Sequence, residues 1–447
     1  MRSILLSLII LGCLPVILVK PYFGVLVWSW ISYFNPHRFV WGFATEIRFA
    51  LIVGGLTIIA YLFSREPKRL PSSSLTVVLF LFIGWIAFAE LFALYPWEGE
   101  GDLNQAVKII AFNGFLTMAL LTSRERIHWL IWVIVASIGF YGFKGGAFTI
   151  LTGGSYRVFG PPQSFMADNN GLALALLMVI PMIRYLQLTA ESRWTRLSLA
   201  VGILLCLASV FGSHSRGALV AMVLMFPFFW WNSSRKLLTG SLAVFCLAIG
   251  LAFMPAHWTE RMQTIQTYQE DGSAQSRLQS WRYAFDLANS RPFVGGGFGA
   301  FAKNYTNTAR EEFTDSYWNA HSIYFQVLGE HGYVGLLLFL ALLGGSFFKA
   351  GQIARRTRGD PELKWAHDLA SMLQVSVVAY AIAGAFQNLQ FFDLVYHIFA
   401  IIIALGAVVK QTEEGKSRVA IDRPAGAGAL AGPPSVASPS RRQAVDA

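Results

Sequence analysis

The chain has 447 residues, of which 55% are hydrophobic and only 13% are charged, and its formal net charge is +10 at pH 7. Soluble proteins carry roughly 25% charged residues, so long stretches of this chain have no water to face. The composition excludes an ordinary soluble domain and favours a polytopic α-helical membrane protein, because a membrane-spanning backbone must satisfy its own hydrogen bonds. The positive net charge does not indicate a protein that binds nucleic acid, since Lys and Arg lie in short loops between apolar runs.

Apolar runs recur along the chain, and most are long enough to cross a hydrocarbon core about 30 Å thick. They fall near residues 4–33, 47–63, 75–95, 105–121, 127–148, 170–188, 196–213, 217–231, 237–254, 332–349, 368–388 and 393–409. These runs predict about twelve transmembrane helices if 4–33 is one pass. Lys20 and Pro21 interrupt that first run, which predicts a broken helix or two short ones. The N-terminus has the charge and hydropathy of a signal peptide but no small-residue cleavage site, so we expect a retained span.

Basic residues follow every second run, and the positive-inside rule places those loops in the cytoplasm. They are Arg65, Lys68, Arg69, Arg124, Arg126, Arg184, Arg193, Arg196, Arg235, Lys236, Arg355, Arg356, Arg358, Lys364, Lys410, Lys416 and Arg418. Both termini are then predicted to be inside. The segments predicted to face outward are 34–46, 96–104, 149–169, 213–217, 255–321 and 389–392.

The same pattern predicts four regions. They are an N-terminal transmembrane bundle of about ten helices (1–254), an outward loop with amphipathic helices (255–321), C-terminal transmembrane helices (322–410) and a disordered cytoplasmic tail (411–447). All three cysteines lie in apolar runs, so neither a disulfide framework nor a metal knot is implied. We find no internal repeat of the kind that inverted-repeat transporters show.

Arg216 lies in SHSRGAL, in a tight turn that is predicted at the outer membrane boundary. A snorkelling arginine is one interpretation. An outward arginine nevertheless works against the positive-inside bias, and charges at the membrane boundary tend to mark function. His214 is close to Arg216 in sequence and is a candidate accessory residue.

Arg282 lies in RLQSWRYAFDLA, a segment with apolar residues at helical spacing. Those residues are Leu278, Trp281, Phe285 and Ala288. The spacing predicts an amphipathic helix that can lie on the membrane, with Arg282 at the edge of its apolar stripe. An interfacial anchor is the alternative role for Arg282. Arg277 and Arg291 share that alternative, and the sequence offers no feature that distinguishes them.

His321 is the first residue of the segment HSIYFQVLGEHGYVGLL, which leads into a predicted transmembrane span. A histidine can accept a proton near physiological pH, which makes His321 a candidate base. A helix-start histidine that bonds to the backbone is the alternative, and a structural role is favoured for His331. The sequence GGGFGAF at 295–301 fits neither common phosphate-loop pattern. It predicts a tight turn whose backbone approaches another segment.

Arg216, Arg282 and His321 come from three separate segments, and all three segments are predicted to face outward. Two guanidinium groups can hold a diphosphate through bidentate, charge-assisted hydrogen bonds. A nearby base can deprotonate a sugar hydroxyl that attacks the carbon bearing the diphosphate. Such a reaction needs no metal, which agrees with the lack of an Asp-x-Asp pair or His/Cys cluster in the outward sequence.

Three motifs in this order resemble the O-antigen ligase and polymerase superfamily over about residues 205–340. They are SRGA (215–218), W-R-x-A followed by R-P-F-x-G-G-G-F-G-A-F (281–301), and AHS with GEHGYVGLL (320–337). The amino-terminal half resembles the branch described as exosortase-linked O-glycosylation ligases. That resemblance rests on NPHRFVWGFA (35–44), on the segment from Lys144 to Asn170, and on GLALALLMVIPM (171–182).

The resemblance implies a GT-C-like bundle of about twelve helices with a periplasmic loop domain, in the bacterial inner membrane. It also implies transfer of a glycan from undecaprenyl diphosphate to lipid A–core, without cofactor or metal and with inversion. His321 would then be the catalytic histidine, and Arg216 and Arg282 would bind the diphosphate. The superfamily usually has His–Asn at this motif, whereas this chain has His321 followed by serine. Lys144 and Arg157 can assist phosphate or acceptor binding, although a solvated basic loop is the simpler interpretation.

The alternatives differ mainly in acceptor. A polymerase would use two lipid-linked glycans, and a protein O-oligosaccharyltransferase would use a Ser, Thr or Tyr hydroxyl. A transporter of lipid-linked oligosaccharide would need charges along the membrane midplane. The candidates for that path are few, since Glu90 is close to the end of its run and Asp393 opens another. A non-catalytic scaffold would not explain a boundary histidine beside an arginine-bearing helix.

Overall fold

A computed structural model describes residues 1–231, 235–256, 258, 272–301 and 319–421. In chain order, the α-helices are α1 Arg2–Val19, α2 Pro21–Phe34, α3 Phe49–Phe63, α4 Ser74–Glu90, α5 Pro96–Ile109, α6 Thr117–Leu120, α7 Arg124–Leu151, α8 Asn169–Thr189, α9 Arg193–Gly212, α10 Arg216–Trp231, α11 Lys236–Phe253, α12 Gly272–Ser290, α13 Ile323–Arg356, α14 Lys364–Gly384 and α15 Asp393–Ile421. The connections include 3₁₀ turns at Pro36–Phe39 and Phe43–Thr45, and a π-helical stretch at Ile110–Leu116 joins α5 to α6.

Eight stretches of helix within the described part of the chain are long and apolar enough to cross a membrane. They are Arg2–Val19, Gly99–Leu120, Arg124–Leu151, Asn169–Thr189, Arg193–Gly212, Ile323–Arg356, Lys364–Gly384 and Asp393–Ser417. Shorter apolar helices are Phe49–Phe63, Ser74–Glu90, Arg216–Trp231 and Lys236–Gly250. The predicted all-α polytopic membrane class is confirmed. The predicted count of twelve spans is not confirmed by these helices.

The first apolar run is divided into two helices, one of the two forms predicted for it. α1 ends at Val19, Lys20 is not helical, and α2 starts with Pro21 as its first residue. Proline is tolerated there because the first N–H groups of a helix have no intrahelical partner. Together α1, α2 and α3 bury a cluster of their own, which includes Leu6, Ile31 and Val53.

The main core surrounds α8. Every residue from Leu172 to Met182 is buried, as expected for a helix that is apolar on all sides. α7, α9 and α14 pack around it, and the Ser376 hydroxyl of α14 donates to the Met178 carbonyl at 2.7 Å. α7 and α9 approach closely because their contact is made by small residues. A Cβ atom on Gly146 would lie only 2.1 Å from the Leu205 carbonyl oxygen.

α13 is kinked at Gly332, whose φ of 68° and ψ of −171° are not helical. The kink frees carbonyl groups on the preceding turn. Gly296 N donates to Gly329 O and Gly297 N donates to Glu330 O, both at 2.8 Å. The glycine-rich segment therefore forms the predicted turn against another segment. The apolar run predicted at 332–349 corresponds to the part of α13 after the kink, and the helix itself begins at Ile323.

α12 lies in the segment predicted to be an amphipathic helix. Its buried side consists of small or aliphatic residues: Ser280, Ala284, Leu287 and Ala288. Of the predicted apolar stripe, Ala288 is buried within the protein and Phe285 is 49% exposed. Small residues allow α12 to approach α13 closely, since a Cβ on Gly329 would lie 3.4 Å from that of Ala284. The bulkier phenylalanine is thereby left on the outer side. Within the predicted loop 255–321, residues 257, 259–271 and 302–318 lie outside the described residues.

α15 continues to Ile421, past residue 411, where a disordered tail was predicted to begin. The expected start of the tail is therefore wrong. Ion pairs explain the longer helix: Lys416 Nζ lies 2.7 Å from Asp360 and 2.9 Å from Glu362, and Arg356 binds Glu413. Residues 422–447 lie outside the described residues.

Candidate functional site

The starts of α8 and α10 meet at one end of the bundle. Asn169, the first residue of α8, donates from Nδ2 to Ser213 O at 2.7 Å, in the turn before α10. Val158 N, in the segment before α8, donates to Gly212 O at 2.9 Å. These bonds hold the turn that carries Arg216 against the segment predicted to face outward at 149–169.

The start of α13 lies at the same end. A Cβ on Gly384, the last residue of α14, would lie 2.6 Å from Ile323 Cδ1. Gly217 of α10 packs against Phe386, just beyond that end of α14, where a Cβ would lie 3.1 Å from the phenylalanine ring. The structure therefore places the segments of Arg216 and His321 at one end, as the alternation of loops predicts.

Arg216 is the first residue of α10 and is half-buried. Ser215 precedes it, and the Ser215 hydroxyl accepts from Ala218 N at 3.2 Å, as in an N-terminal cap. A helix N-terminus carries partial positive charge, which adds to the charge of the guanidinium group. The position of Arg216 therefore suits binding of an anion such as a phosphate.

His214 is buried, with 3% of its surface exposed, and its φ is +55°. Its Nε2 atom lies 2.9 Å from the Gly154 carbonyl oxygen. This contact ties the turn before α10 to the segment after α7. His214 was predicted as an accessory residue, and its contact with Gly154 indicates that it positions the turn that carries Arg216.

His321 directly precedes Ser322, the N-cap position of α13, and is solvent-exposed overall. Its φ of +48° lies in the left-handed region, which is uncommon for residues other than glycine. Desolvation by the surrounding protein lowers the pKa of His321 below its ordinary value of 6.5, and the charge of Arg277 lowers it further. The carboxylate of Asp168 opposes this shift. The imidazole is thus largely neutral at physiological pH, which is the form a general base needs.

Arg277 is the arginine whose field acts on His321, and sequence reasoning did not single it out. It lies four residues before Trp281 and so on the same face of α12. Trp281 stacks on Phe325 of α13, with ring centroids 4.9 Å apart. The indole Nε1 also donates to the Ala320 carbonyl at 2.7 Å. The four-residue spacing from a half-buried tryptophan was the signal that could have identified Arg277.

Arg282 lies on the exposed side of α12, together with Phe285 and Asp286. The charges that act on the His321 imidazole are those of Arg277 and Asp168. The structure therefore brings Arg277 towards the histidine, while the role predicted for Arg282 stays a prediction.

The two basic accessory residues are both exposed. Lys144 lies inside α7 rather than in the segment after it, which corrects the expectation that it belongs to an outward loop. Arg157 lies in the connection between α7 and α8, next to the buried residue Val158. Neither is among the charges that act on the pKa of His321. That Lys144 and Arg157 assist phosphate or acceptor binding stays a prediction.

Asp168 is the N-cap of α8, and its Oδ1 accepts from Asn170 N at 2.9 Å and from Gly171 N at 3.0 Å. These bonds fix a carboxylate near His321. Such a carboxylate stabilises the imidazolium ion that forms when the histidine accepts a proton. In the described part of the chain, no group of three or more His, Cys, Asp or Glu residues is placed to hold a metal ion.

The arrangement combines an anion site with a base. Arg216 and the start of α10 supply positive charge, and Arg277 supplies more from α12. His321 lies at the start of α13, and the charge of Asp168 acts on it. Such a site can bind a phosphate-bearing substrate and remove a proton from a second molecule.

Two family models match the chain. One is described as O-Antigen ligase and matches residues 201–340. The other is described as a family of unknown function (DUF5935) and matches residues 1–191. No curated protein matches. The first match includes Arg216, Arg277, Arg282 and His321. The match at residues 201–340 supports the O-antigen ligase and polymerase superfamily that the motifs predicted, and the particular branch is not distinguished.

Proposed function

We propose that this protein is an O-antigen ligase that transfers a glycan from undecaprenyl diphosphate to lipid A–core at the periplasmic face of the bacterial inner membrane. The observation that supports this proposal is the position of His321 at the same end of the bundle as Arg216, where the charges of Arg277 and Asp168 act on its imidazole. The superfamily match supplies the reaction class.

In this proposal the donor diphosphate binds Arg216 and Arg277. Charge-assisted hydrogen bonds from two guanidinium groups neutralise the phosphate oxygens and make the diphosphate a better leaving group. Arg282, on the outer side of the same helix, is the second candidate for this contact. The polyprenyl chain remains in the surrounding lipid.

His321 removes the proton from an acceptor sugar hydroxyl. The hydroxyl oxygen then attacks the anomeric carbon, and the bond from that carbon to the diphosphate oxygen breaks. Undecaprenyl diphosphate leaves with the bonding electron pair, and the anomeric configuration is inverted. The proton stays on His321, where the Asp168 carboxylate stabilises the imidazolium, until it passes to water.

A polymerase of the same superfamily and a protein O-oligosaccharyltransferase share this donor chemistry. They differ in the acceptor, which is a second lipid-linked glycan or a protein hydroxyl. A transporter is less favoured, because the residues that support the proposal gather at one end of the bundle rather than along a path through it.

The test is transfer in vitro by the purified protein in detergent. The reaction receives an undecaprenyl-diphosphate glycan and lipid A–core, with EDTA present. We expect glycosylated lipid A–core from the parent protein. His321→Ala, Arg216→Ala and Arg277→Ala should each lower the rate on the order of 100-fold or more, because each removes charge or proton transfer at the reacting centre.

Arg282→Ala is compared with Arg277→Ala, since both change one arginine of α12 and the two results decide which arginine binds the diphosphate. We expect the exposed Arg282 to matter less. Elongation of the donor glycan without a lipid A–core product would favour the polymerase. Full activity in the His321, Arg216 and Arg277 variants would show that the reacting centre lies elsewhere.

A further inference from the structure

Ala320, the residue that precedes His321, is held through the peptide groups on both of its sides. Ala320 is fully buried, and its carbonyl accepts a hydrogen bond from Trp281 Nε1 at 2.7 Å. Its N–H donates to Gln326 Oε1 at 2.9 Å. The Ala320 carbonyl belongs to the same planar peptide unit as the His321 nitrogen, so the Trp281 bond fixes the peptide plane next to the histidine. The Ala320 N–H belongs to the preceding peptide unit, so the Gln326 bond fixes the chain one residue earlier.

The bond from Gln326 belongs to a longer buried network. Gln326 is 3% exposed, and its Nε2 donates to Oε1 of Glu330, which is one helical turn further along α13 and 4% exposed. The Glu330 backbone carbonyl accepts from Gly297 N at 2.8 Å. The network thus runs from the glycine-rich turn to the residue before His321.

The side chains of this network are buried in the protein interior, where apolar side chains could be placed at a lower cost in free energy. Burying an amide and a carboxyl group is unfavourable unless their hydrogen bonds are made, so such groups fix a particular geometry where they occur. The geometry here is unusual, because His321 has a positive φ. A non-glycine residue in this region persists only when its surroundings determine it.

We infer that Gln326, supported by Glu330, is a positioning residue that holds the His321 backbone in its left-handed conformation and so directs the imidazole at the acceptor hydroxyl. The inference rests on the proposed role of His321 as the base. Neither Gln326 nor Glu330 touches the substrate in this mechanism. Both act through the Ala320 peptide.

The first variant is Gln326→Met, which keeps the length of the side chain and removes both hydrogen bonds. We expect kcat to fall about 10- to 100-fold, as small misplacements of a catalytic group do. KM for the donor should change by less than about threefold, because the diphosphate ligands are untouched. Trp281→Phe removes the other bond to Ala320 and keeps a ring against Phe325, so it should lower kcat in the same way.

The second test exchanges the two partners. Gln326→Glu alone puts two carboxyl groups in contact and should lower kcat at least as much as Gln326→Met. Glu330→Gln alone should stay near the parent, since an amide oxygen can still accept from Gln326. The double variant restores one acceptor for Ala320 N and one donor between the two side chains. Its kcat should return to within about fivefold of the parent.

An NMR titration of the His321 imidazole, assigned by its loss in His321→Asn, gives a readout that does not need activity. Gln326→Met should release the ring from the surroundings and the Arg277 charge that lower its pKa, so its pKa should rise towards the ordinary value. The double variant should reverse this. A folded Gln326→Met protein with the parent kcat and imidazole titration would overturn the inference. Activity in His321→Asn would instead refute the proposed role of His321 as the base. The imidazole titration of Gln326→Met would still show whether Gln326 positions His321.

Discussion

At the scale of single residues, two histidines share an unusual backbone conformation. His214 and His321 both have positive φ and both lie just before a helix that starts at the candidate site. Their side chains are used differently, since His214 contacts the Gly154 carbonyl and His321 is exposed. The common feature is a sharp change of chain direction that places the next helix start at the site.

The charges around His321 make its titration predictable. Asp168→Asn removes the negative charge that raises the pKa of His321, so the pKa should fall. The acidic limb of the pH profile of kcat/KM should then move to lower pH. Asparagine caps helices about as well as aspartate, so α8 should be retained. Arg277→Gln removes a positive charge and should raise the pKa of His321, as measured by imidazole titration.

Asp286→Asn is the control for Asp168→Asn. Asp286 is exposed on α12 and is not among the charges that act on His321. This variant should leave the pH profile unchanged. An acidic limb that stays in place in Asp168→Asn would mean that His321 is not the group whose protonation stops the reaction.

At the scale of elements, the contact between α12 and α13 depends on the kink at Gly332. The kink exposes the carbonyls of Gly329 and Glu330 to the glycine-rich turn, and Tyr333 N donates to Pro292 O at 2.8 Å on its other side. Glu90, at the end of α4, adds a further anchor, since its Oε2 accepts from Phe298 N at 2.9 Å. The turn therefore connects three helices beneath the site.

Gly332→Ala should destabilise the protein. Its φ of 68° is unfavourable for alanine, and a Cβ would lie 2.2 Å from the Phe293 carbonyl oxygen. Strain of this kind costs about 1–3 kcal/mol. The midpoint of thermal unfolding in detergent should therefore fall.

Gly344→Ala is the matched control on the same helix. A Cβ there would meet nothing within 4 Å, so the change should be neutral or slightly stabilising. Equal unfolding midpoints for the two variants would mean that the kink does not constrain the fold.

The sequence predicts these elements better than it predicts their rotation about their axes. Apolar runs and glycine clusters locate α12 and the turn after it. The face of α12 that is buried depends on Ala284 meeting Gly329, and that contact is not visible in a local pattern. For this reason the predicted stripe included Phe285, and Arg282 was preferred to Arg277.

At the scale of the whole molecule, the structure places at one end of the bundle the helix ends that the alternation of basic loops assigns to one side of the membrane. The segments predicted to face outward at 149–169 and 213–217 are joined by hydrogen bonds at the end that carries His321. The positive-inside rule thus predicts which helix ends meet, although not which side chains meet there. The resulting orientation of the protein in the membrane stays a prediction.

Cysteine labelling tests that orientation. Ser155 is exposed after α7, and Ser192 is exposed at the opposite end, between α8 and α9. In a chain with Cys13, Cys206 and Cys246 replaced by serine, a membrane-impermeant maleimide should label Ser155→Cys in intact cells. Ser192→Cys should react only after permeabilisation.

Inside-out vesicles provide the control for labelling, because the reactivity of the two positions should be exchanged there. Labelling of Ser192→Cys in intact cells, with Ser155→Cys protected, would invert the topology. The candidate site would then face the cytoplasm, and the proposed transfer at the periplasmic face would be refuted.

The kink at Gly332 also bears on the order in which the protein is made. The glycine-rich turn precedes α13 in the chain, but the carbonyls that hold it belong to α13. During synthesis the turn emerges after the end of α4, which binds it through Glu90, but before its partners in α13 exist. It cannot dock fully until α13 has been translated and inserted. His321 acquires its fixed surroundings only at that stage. The helices up to α11 are therefore translated before the site can form, and a chain halted there would lack a reaction centre.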